Sequence, residues 1–166
     1  MTNKKEIIAG IIIIGNEVLS GRTKDVNTST IATWLNSLGI RVKEVRVIPD
    51  DKKKIIDTVN QLRKNFNYVF TTGGIGPTHD DITAKSISKV FNVKYTYHPE
   101  AFKILENYYG KNNFNDGRKK MSKMPQGSDL IYNPSSAAPG FKIKNVFCLP
   151  GVPLILKSMI HNCSKY

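Results

Sequence analysis

The sequence predicts an α/β domain built on a mainly parallel sheet that is covered on both faces. Three observations carry that expectation. A wholly apolar run near the start suits a buried strand, strand and helix patterns then alternate three times, and a glycine-rich loop joins the third strand to the helix after it.

Residues 7–14 are apolar throughout, rich in isoleucine and closed by Gly15, as expected of a parallel strand with no solvent-facing side. From Thr28 to Leu38, Ile31, Trp34, Leu35 and Leu38 fall at helical spacing, with Asn27 or Thr28 as the N-cap and Gly39 as the stop. Trp34 is therefore assigned to the core. Residues 40–48 alternate through Val42, Val45 and Val47 into Pro49, a second strand, and Ile55, Ile56, Val59 and Leu62 return to helical spacing. Residues 68–71 form the third strand, and Ala84, Ile87, Val90 and Phe91 give the next helical face. His98-Pro99 opens an amphipathic segment with Phe102, Leu105 and Tyr109 that breaks at residues 110–113. Residues 116–123 read as a short helix, and residues 125–127 and 133–140 as irregular connections. A hairpin of residues 141–143 and 146–149 turns at Lys144-Asn145, and a last helix starts near Pro153 and carries Leu154, Ile155 and Ile160.

A chain of 166 residues fits one domain, here taken as residues 1–166, and needs no covalent staple to bury a core. Cys148 and Cys163 have no metal-ligand or CxxC spacing, so a reducing cytoplasm is expected. Lys4 and Lys5 before the apolar run imitate a signal peptide, but Asn16-Glu17 ends the run far short of a membrane span and no cleavage motif follows. The net charge of +12 raises nucleic acid as a partner. The lysines are scattered, however; the longest run is Lys52-Lys53-Lys54, and no RRM, KH or helix-turn-helix pattern accompanies them. Nucleic acid is not the predicted partner, although a positive field would steer a small anion.

The loop Thr72-Gly73-Gly74-Ile75-Gly76-Pro77-Thr78 follows a strand and precedes a helix, where glycines let backbone N–H groups approach a phosphate. A tight strand-to-helix turn is the competing reading, and neither a Walker A nor a GxGxxG pattern fits. Two acid pairs add chemistry. Asp80 and Asp81 open the helix after strand three, and Asp50 and Asp51 follow strand two, so both pairs are expected at one carboxyl edge of the sheet. Carboxylates that close call for a cation, and Mg2+ bridging to substrate phosphates fits; helix N-terminal acids are the alternative for each pair. His79 has an equal standing as phosphate contact and surface residue. Ser135 and Ser136 have no GxSxG elbow and suit hydroxyl contacts to phosphate.

Residues 71–83, Thr-Thr-Gly-Gly-Ile-Gly-Pro-Thr-His-Asp-Asp-Ile-Thr, resemble the signature of the molybdopterin-binding domain shared by MoaB, Mog and CinA proteins. Residues 15–21, Asp25-Val26-Asn27, residues 47–50, residues 133–141 and residues 149–153 look most like the CinA (competence/damage-inducible protein A) branch. The resemblance covers nearly the whole chain. It implies a three-layer α/β/α fold, a homo-oligomer with a trimer favoured, and a small phosphorylated ligand at the sheet's carboxyl edge. It also implies roles: Asp50 and Asp81 match the catalytic, magnesium-assisting aspartates, with Asp80 added here as a metal ligand. Thr72, Gly73, Gly74, Gly76, Pro77, Thr78, Ser135, Ser136 and Gly151 fall in the ligand-contacting segments. The adenylylating members usually read Gly-Gly-Thr-Gly and Arg-Asp, whereas Ile75 and Asp80 stand here. Loss of a hydroxyl and a cation shifts the expectation from molybdopterin adenylylation toward Mg2+- or other divalent-metal-dependent phosphoanhydride chemistry of the ADP-ribose pyrophosphatase kind. A molybdopterin-binding or adenylylating protein of molybdenum cofactor biosynthesis, and a module that binds without chemistry, are the alternatives. CinA proteins often continue into further domains, so a chain ending at Tyr166 is expected to act alone or as a shortened homologue.

Overall fold

The sheet is organised around the isoleucine run. In the computed structural model, which describes residues 5–166 and so leaves Lys4 outside, β1 (Ile8–Ile14) lies between β2 (Arg41–Ile48) and β3 (Tyr68–Thr72), parallel to both. The full order is β2-β1-β3-β8-β7-β6, with β8 (Val146–Leu149) parallel to β3 and β7 (Gly140–Ile143) antiparallel to β8. β6 (Asp129–Ile131) pairs antiparallel with β7 at the edge.

Successive residues of a strand face opposite ways, so an unbroken apolar run is needed only where both faces are covered. Ile12 and Ile14 pack with Ile55, Val59 and Leu62 of α3 (Lys52–Asn65) and Ile87 of α4 (Thr83–Val90). Ala9, Ile11 and Ile13 pack on the other face with Ile31 and Leu35 of α2 (Asn27–Ser37) and Leu156 and Met159 of α7 (Pro153–Met159). These are the three layers expected. Trp34 is core, its ring edge-on to Phe70, which stacks on Phe147 at 4.6 Å between centroids.

Local details depart from the sequence reading in three places. The helix after residue 26 is not capped by Asn27 or Thr28; the Asp25 carboxylate accepts from both of their N–H groups, at 2.9 and 3.3 Å. This frees the Asn27 side chain to turn inward. The helix expected over residues 116–123 ends at Lys120 (α6, Asp116–Lys120), because residues 123–125 become a strand. That strand, β5 (Lys123–Pro125), pairs antiparallel with β4 (Tyr95–Tyr97), so Pro125 is in a strand rather than a loop. β4, β5 and β6 have three residues each, too few for an alternating pattern to register. The hairpin turn at Lys144 and Pro153 at the start of α7 are as predicted, and Lys144 takes φ 52°. α5 (Pro99–Tyr109) is capped by the His98 ring, which accepts from the Ala101 N–H. A four-residue helix, α1 (Asn16–Leu19), follows β1 directly.

Candidate functional site

The carboxyl ends of β1, β2 and β3 meet a cleft whose floor is the glycine loop. Gly73 and Gly74 have φ of 100° and 70°, the left-handed region that side chains avoid. Space is equally restrictive. A Cβ on Gly73 would lie 2.1 Å from the Ile14 carbonyl oxygen, and one on Gly74 2.1 Å from Thr83 Oγ1. Thr83 fixes the loop from below, its hydroxyl donating to the Gly73 carbonyl at 3.0 Å and its N–H to the Gly74 carbonyl at 2.9 Å. The two glycine carbonyls are thereby tied to α4.

Two compartments open on this loop. The larger, about 620 Å³, is lined by Gly73, Gly74, Ile75, Gly76 and Pro77 on one side. Asn133, Ser136, Pro139, Gly151 and Val152 are also in the lining, as are Tyr109 and Met121. The smaller, about 370 Å³, is lined by Asn16, Glu17, Arg22, Asp50, Gly74, His79, Asp80 and Asp81 among others. Glu17, Gly74 and Asp81 line both, so they mark the junction. The chain has 13 acidic residues against 25 basic ones, yet four of the acids gather in the smaller compartment. A local negative spot on a basic protein is suited to a cation.

Each acid pair divides in the same way: one member is half-buried and the other exposed. Asp51 is the N-cap of α3, accepting from the Lys54 N–H at 2.7 Å, a contact worth about 1 kcal/mol. It does not line either compartment. Asp50 does, and its Oδ2 accepts from the Asn16 N–H at 2.9 Å while its own N–H reaches Asn16 Oδ1 at 3.3 Å. Asp81 precedes α4 by two residues and closes the turn before it, Oδ2 accepting from the Thr78 N–H and hydroxyl, both at 2.8 Å. Asp80 sits at the rim, 79% exposed, beside His79 at 3.1 Å. Neither Asp80 nor Asp81 caps the helix.

Among the described residues, Oδ1 of Asp50 and Oδ1 of Asp81 have no hydrogen-bond partner, so each carboxylate is held by one oxygen and offers the other. No three His, Cys, Asp or Glu side chains among the described residues converge into a preformed metal cage. Two carboxylates with free oxygens fit Mg2+, which characteristically takes one or two protein oxygens and completes its shell with water and substrate phosphate.

Other predicted residues fall differently. Thr72 is buried, its Oγ1 accepting from Asn27 Nδ2 at 3.3 Å, and Thr78 spends its donors on Asp81. Gly151 packs against Gly73, and its carbonyl accepts from Asn27 Nδ2 at 2.8 Å. Ser135 is turned away from the cleft: its hydroxyl donates to Ser158 Oγ of α7, which leaves Ser136 as the serine of the lining. Asn133 fixes that segment, accepting from the Ser135 and Ser136 N–H groups and donating to Ser136 Oγ and the Ala138 carbonyl.

The structure also adds residues that the sequence pattern did not mark. Asn16 orients Asp50; Arg22 brings a guanidinium to the acidic compartment, and Lys120 brings an ammonium to the turn beneath Asp81. The Lys120 ammonium donates to the carbonyls of Thr78 and, at 2.8 Å, Asp81. Burial lowers its pKa, opposed by the charges of Asp81 and Asp80. Lys120 lies 39 residues from Asp81, so no local motif could have revealed the contact.

Comparison with known proteins places the fold. The profile of a family described as "Probable molybdopterin binding domain" matches residues 10–165. A CinA-like protein of Flavobacterium psychrophilum is 36% identical over 162 residues, covering 93% of this chain and 38% of that protein. A protein of Archaeoglobus fulgidus is 39% identical over 143 residues, 86% of this chain and 61% of the relative. The chain thus spans about three fifths of the length of the first curated relatives it matches. The crystal structure of CinA from Thermoplasma acidophilum, described as of unknown function, superposes with a TM-score of 0.90 at 30% identity, covering 96% of this chain and 97% of that one. The tungsten cofactor synthesizing protein MoaB from Pyrococcus furiosus shares the fold, with a TM-score of 0.61 at 22% identity over 97% of this chain and 92% of that one.

Proposed function

The chain belongs to the probable molybdopterin-binding domain family, and from that premise we propose that it binds a phosphorylated nucleotide on the glycine loop and hydrolyses its phosphoanhydride. The observation that carries the reading is the pairing of Asp50 and Asp81 in one compartment, each with a free Oδ1, beside Gly74. The glycine loop receives the phosphates on backbone N–H groups; that of Gly73 is taken by the Leu149 carbonyl at 3.1 Å, so those from Gly74 onward serve. Asp50 and Asp81 would hold a divalent metal through their free oxygens, with exposed Asp80 as a further ligand at the rim. When bound, such a metal supplies positive charge to the phosphate oxygens and lowers the pKa of a coordinated water. Asn16 and Thr78 keep the two carboxylates from rotating, and Arg22 offers a guanidinium to the anionic ligand. Water adds to phosphorus as the P–O–P bridge breaks, giving AMP and ribose phosphate from ADP-ribose.

The direct test is incubation of the pure protein with ADP-ribose, FAD, NAD and ATP under Mg2+, Mn2+ or Zn2+. Release of AMP from ADP-ribose is expected, and it should be lost in Asp81→Asn. No turnover above that variant in any mixture overturns the reading.

A second reading is a carrier of a molybdopterin-like pterin without chemistry. The lining of the larger compartment by Ile75, Pro77, Pro139, Val152 and Ile155 favours it, since a flat heterocycle would find apolar contact there. Calorimetry should then show binding that is indifferent to chelation of Mg2+; loss of affinity on chelation removes it. The trimer implied by the resemblance belongs to the same proposal, and a monomer by light scattering counts against it.

A further inference from the structure

We propose that Tyr109 is a stacking shelf for the planar heterocycle of the ligand, and so sets which way a nucleotide lies in the cleft. This rests on the phosphate reading above. Tyr109 lines the larger compartment but not the acidic one, and Glu17, Gly74 and Asp81 lie at the junction between them. A ligand whose phosphates rest on the glycine loop near the junction would therefore carry its base into the Tyr109 end.

That end is built as a fixed platform. Tyr109 is the last residue of α5, and Gly110, with φ 75°, ends the helix there. The Arg118 guanidinium carbon lies 4.2 Å from the centre of the Tyr109 ring, and the Tyr108 ring meets it edge-on at 4.9 Å. Arg118 is itself held, its guanidinium donating to the Asn113 carbonyl and its N–H to Asn115 Oδ1 at 3.0 Å. Arg118 does not line the cleft, so it backs the ring rather than competing for the ligand. A ring immobilised in this way loses little freedom when a base stacks on it. Met121 lies in the same wall, and its polarizable thioether suits the edge of a heterocycle. The glycine loop reads phosphate, which every nucleotide carries. The shelf adds a preference for ligands with a flat ring.

Calorimetric titration of the folded protein with Mg2+ present tests this with three probes that the proposed chemistry does not consume: ADP-ribose with a methylene bridge between its phosphorus atoms, neopterin phosphate, and methylenediphosphonate as a pyrophosphate without a ring or a cleavable bridge. Tyr109→Ala should weaken binding of the ADP-ribose analogue about tenfold, the usual scale for removing an aromatic stacking partner, and leave the pyrophosphate analogue unchanged. Tyr109→Phe, which keeps the ring face, should bind like the wild type. Neopterin phosphate weakened in place of the ADP-ribose analogue would still support the shelf and identify a pterin as its occupant. Retained binding of all three probes by Tyr109→Ala overturns the shelf while the phosphate site stands, as does a Tyr109→Phe variant as weak as Tyr109→Ala. If the wild type binds none of the probes, the phosphate reading falls and the shelf with it.

Discussion

The two compartments of the cleft are made of different materials. The glycine-loop wall is backbone, clamped by the Ile14 carbonyl, Thr83 and Gly151 with no room for a single added carbon at Gly73 or Gly74. The acidic wall is side chain, carried on turns where Asp50 and Asp81 are half-buried and Asp80 is exposed. A backbone-built wall cannot be altered without disturbing the sheet that supports it. A wall of carboxylates can lose its charge and keep its shape. Binding of phosphate and any chemistry on it should therefore be separable by mutation.

Three substitutions probe that contrast, beginning with the largest effect. Gly73→Ala places a methyl group against the Ile14 carbonyl oxygen in a left-handed conformation, so it should cost more than about 3 kcal/mol in urea denaturation and abolish ligand binding with it. Were Gly73→Ala as stable as the wild type, the distinction between the walls would be broken. Asp50→Asn comes next. Its amide oxygen can still accept from the Asn16 N–H, so stability should move by less than about 1 kcal/mol, while hydrolysis of ADP-ribose falls about a hundredfold or more. Asp80→Asn, at the exposed rim, should change the rate only a few-fold, and equal losses in the two variants would merge what the structure separates.

The smallest effect belongs to the support of the backbone wall. Cys148 lies on β8, paired in register with Thr71 of β3, and burial pushes its thiol up to about 12 from an ordinary 9.0. A raised folded-state pKa means that the unfolded chain releases this proton first as pH rises. Stability from the neutral thiol is thus intact below 9.0 and declines as pH climbs toward about 12. Between about pH 8 and about pH 10, Cys148→Ala should lose about 1 kcal/mol less stability than the wild type in denaturant titrations. An identical pH dependence in the two proteins would remove the thiol from the account.

The same contrast explains what was legible beforehand. Both faces of β1 are covered, which forces an apolar residue at every position, and that run is visible at a glance. The glycine loop was visible for a related reason: conformations that exclude Cβ demand glycine. The division of labour within each acid pair was not. Asp50 and Asp51 are the same residue type side by side, and only the placement of Asn16, 34 residues earlier, turns one into the site while the other caps α3. Likewise Ser135 and Ser136 are indistinguishable until α7 packs Ser158 beside the first.

By itself, then, the sequence determined the layered α/β architecture, the place of the glycine loop and the edge of the sheet where acids gather, because these follow from local periodicity and backbone sterics. The tertiary structure alone decided which carboxylate faces the cleft, that Lys120 and Asn133 brace its walls, and that Tyr109 joins the lining of the larger compartment. Those outcomes depend on contacts between residues distant in the chain, and short polar side chains on turns carry no periodic signal of the direction in which packing will point them.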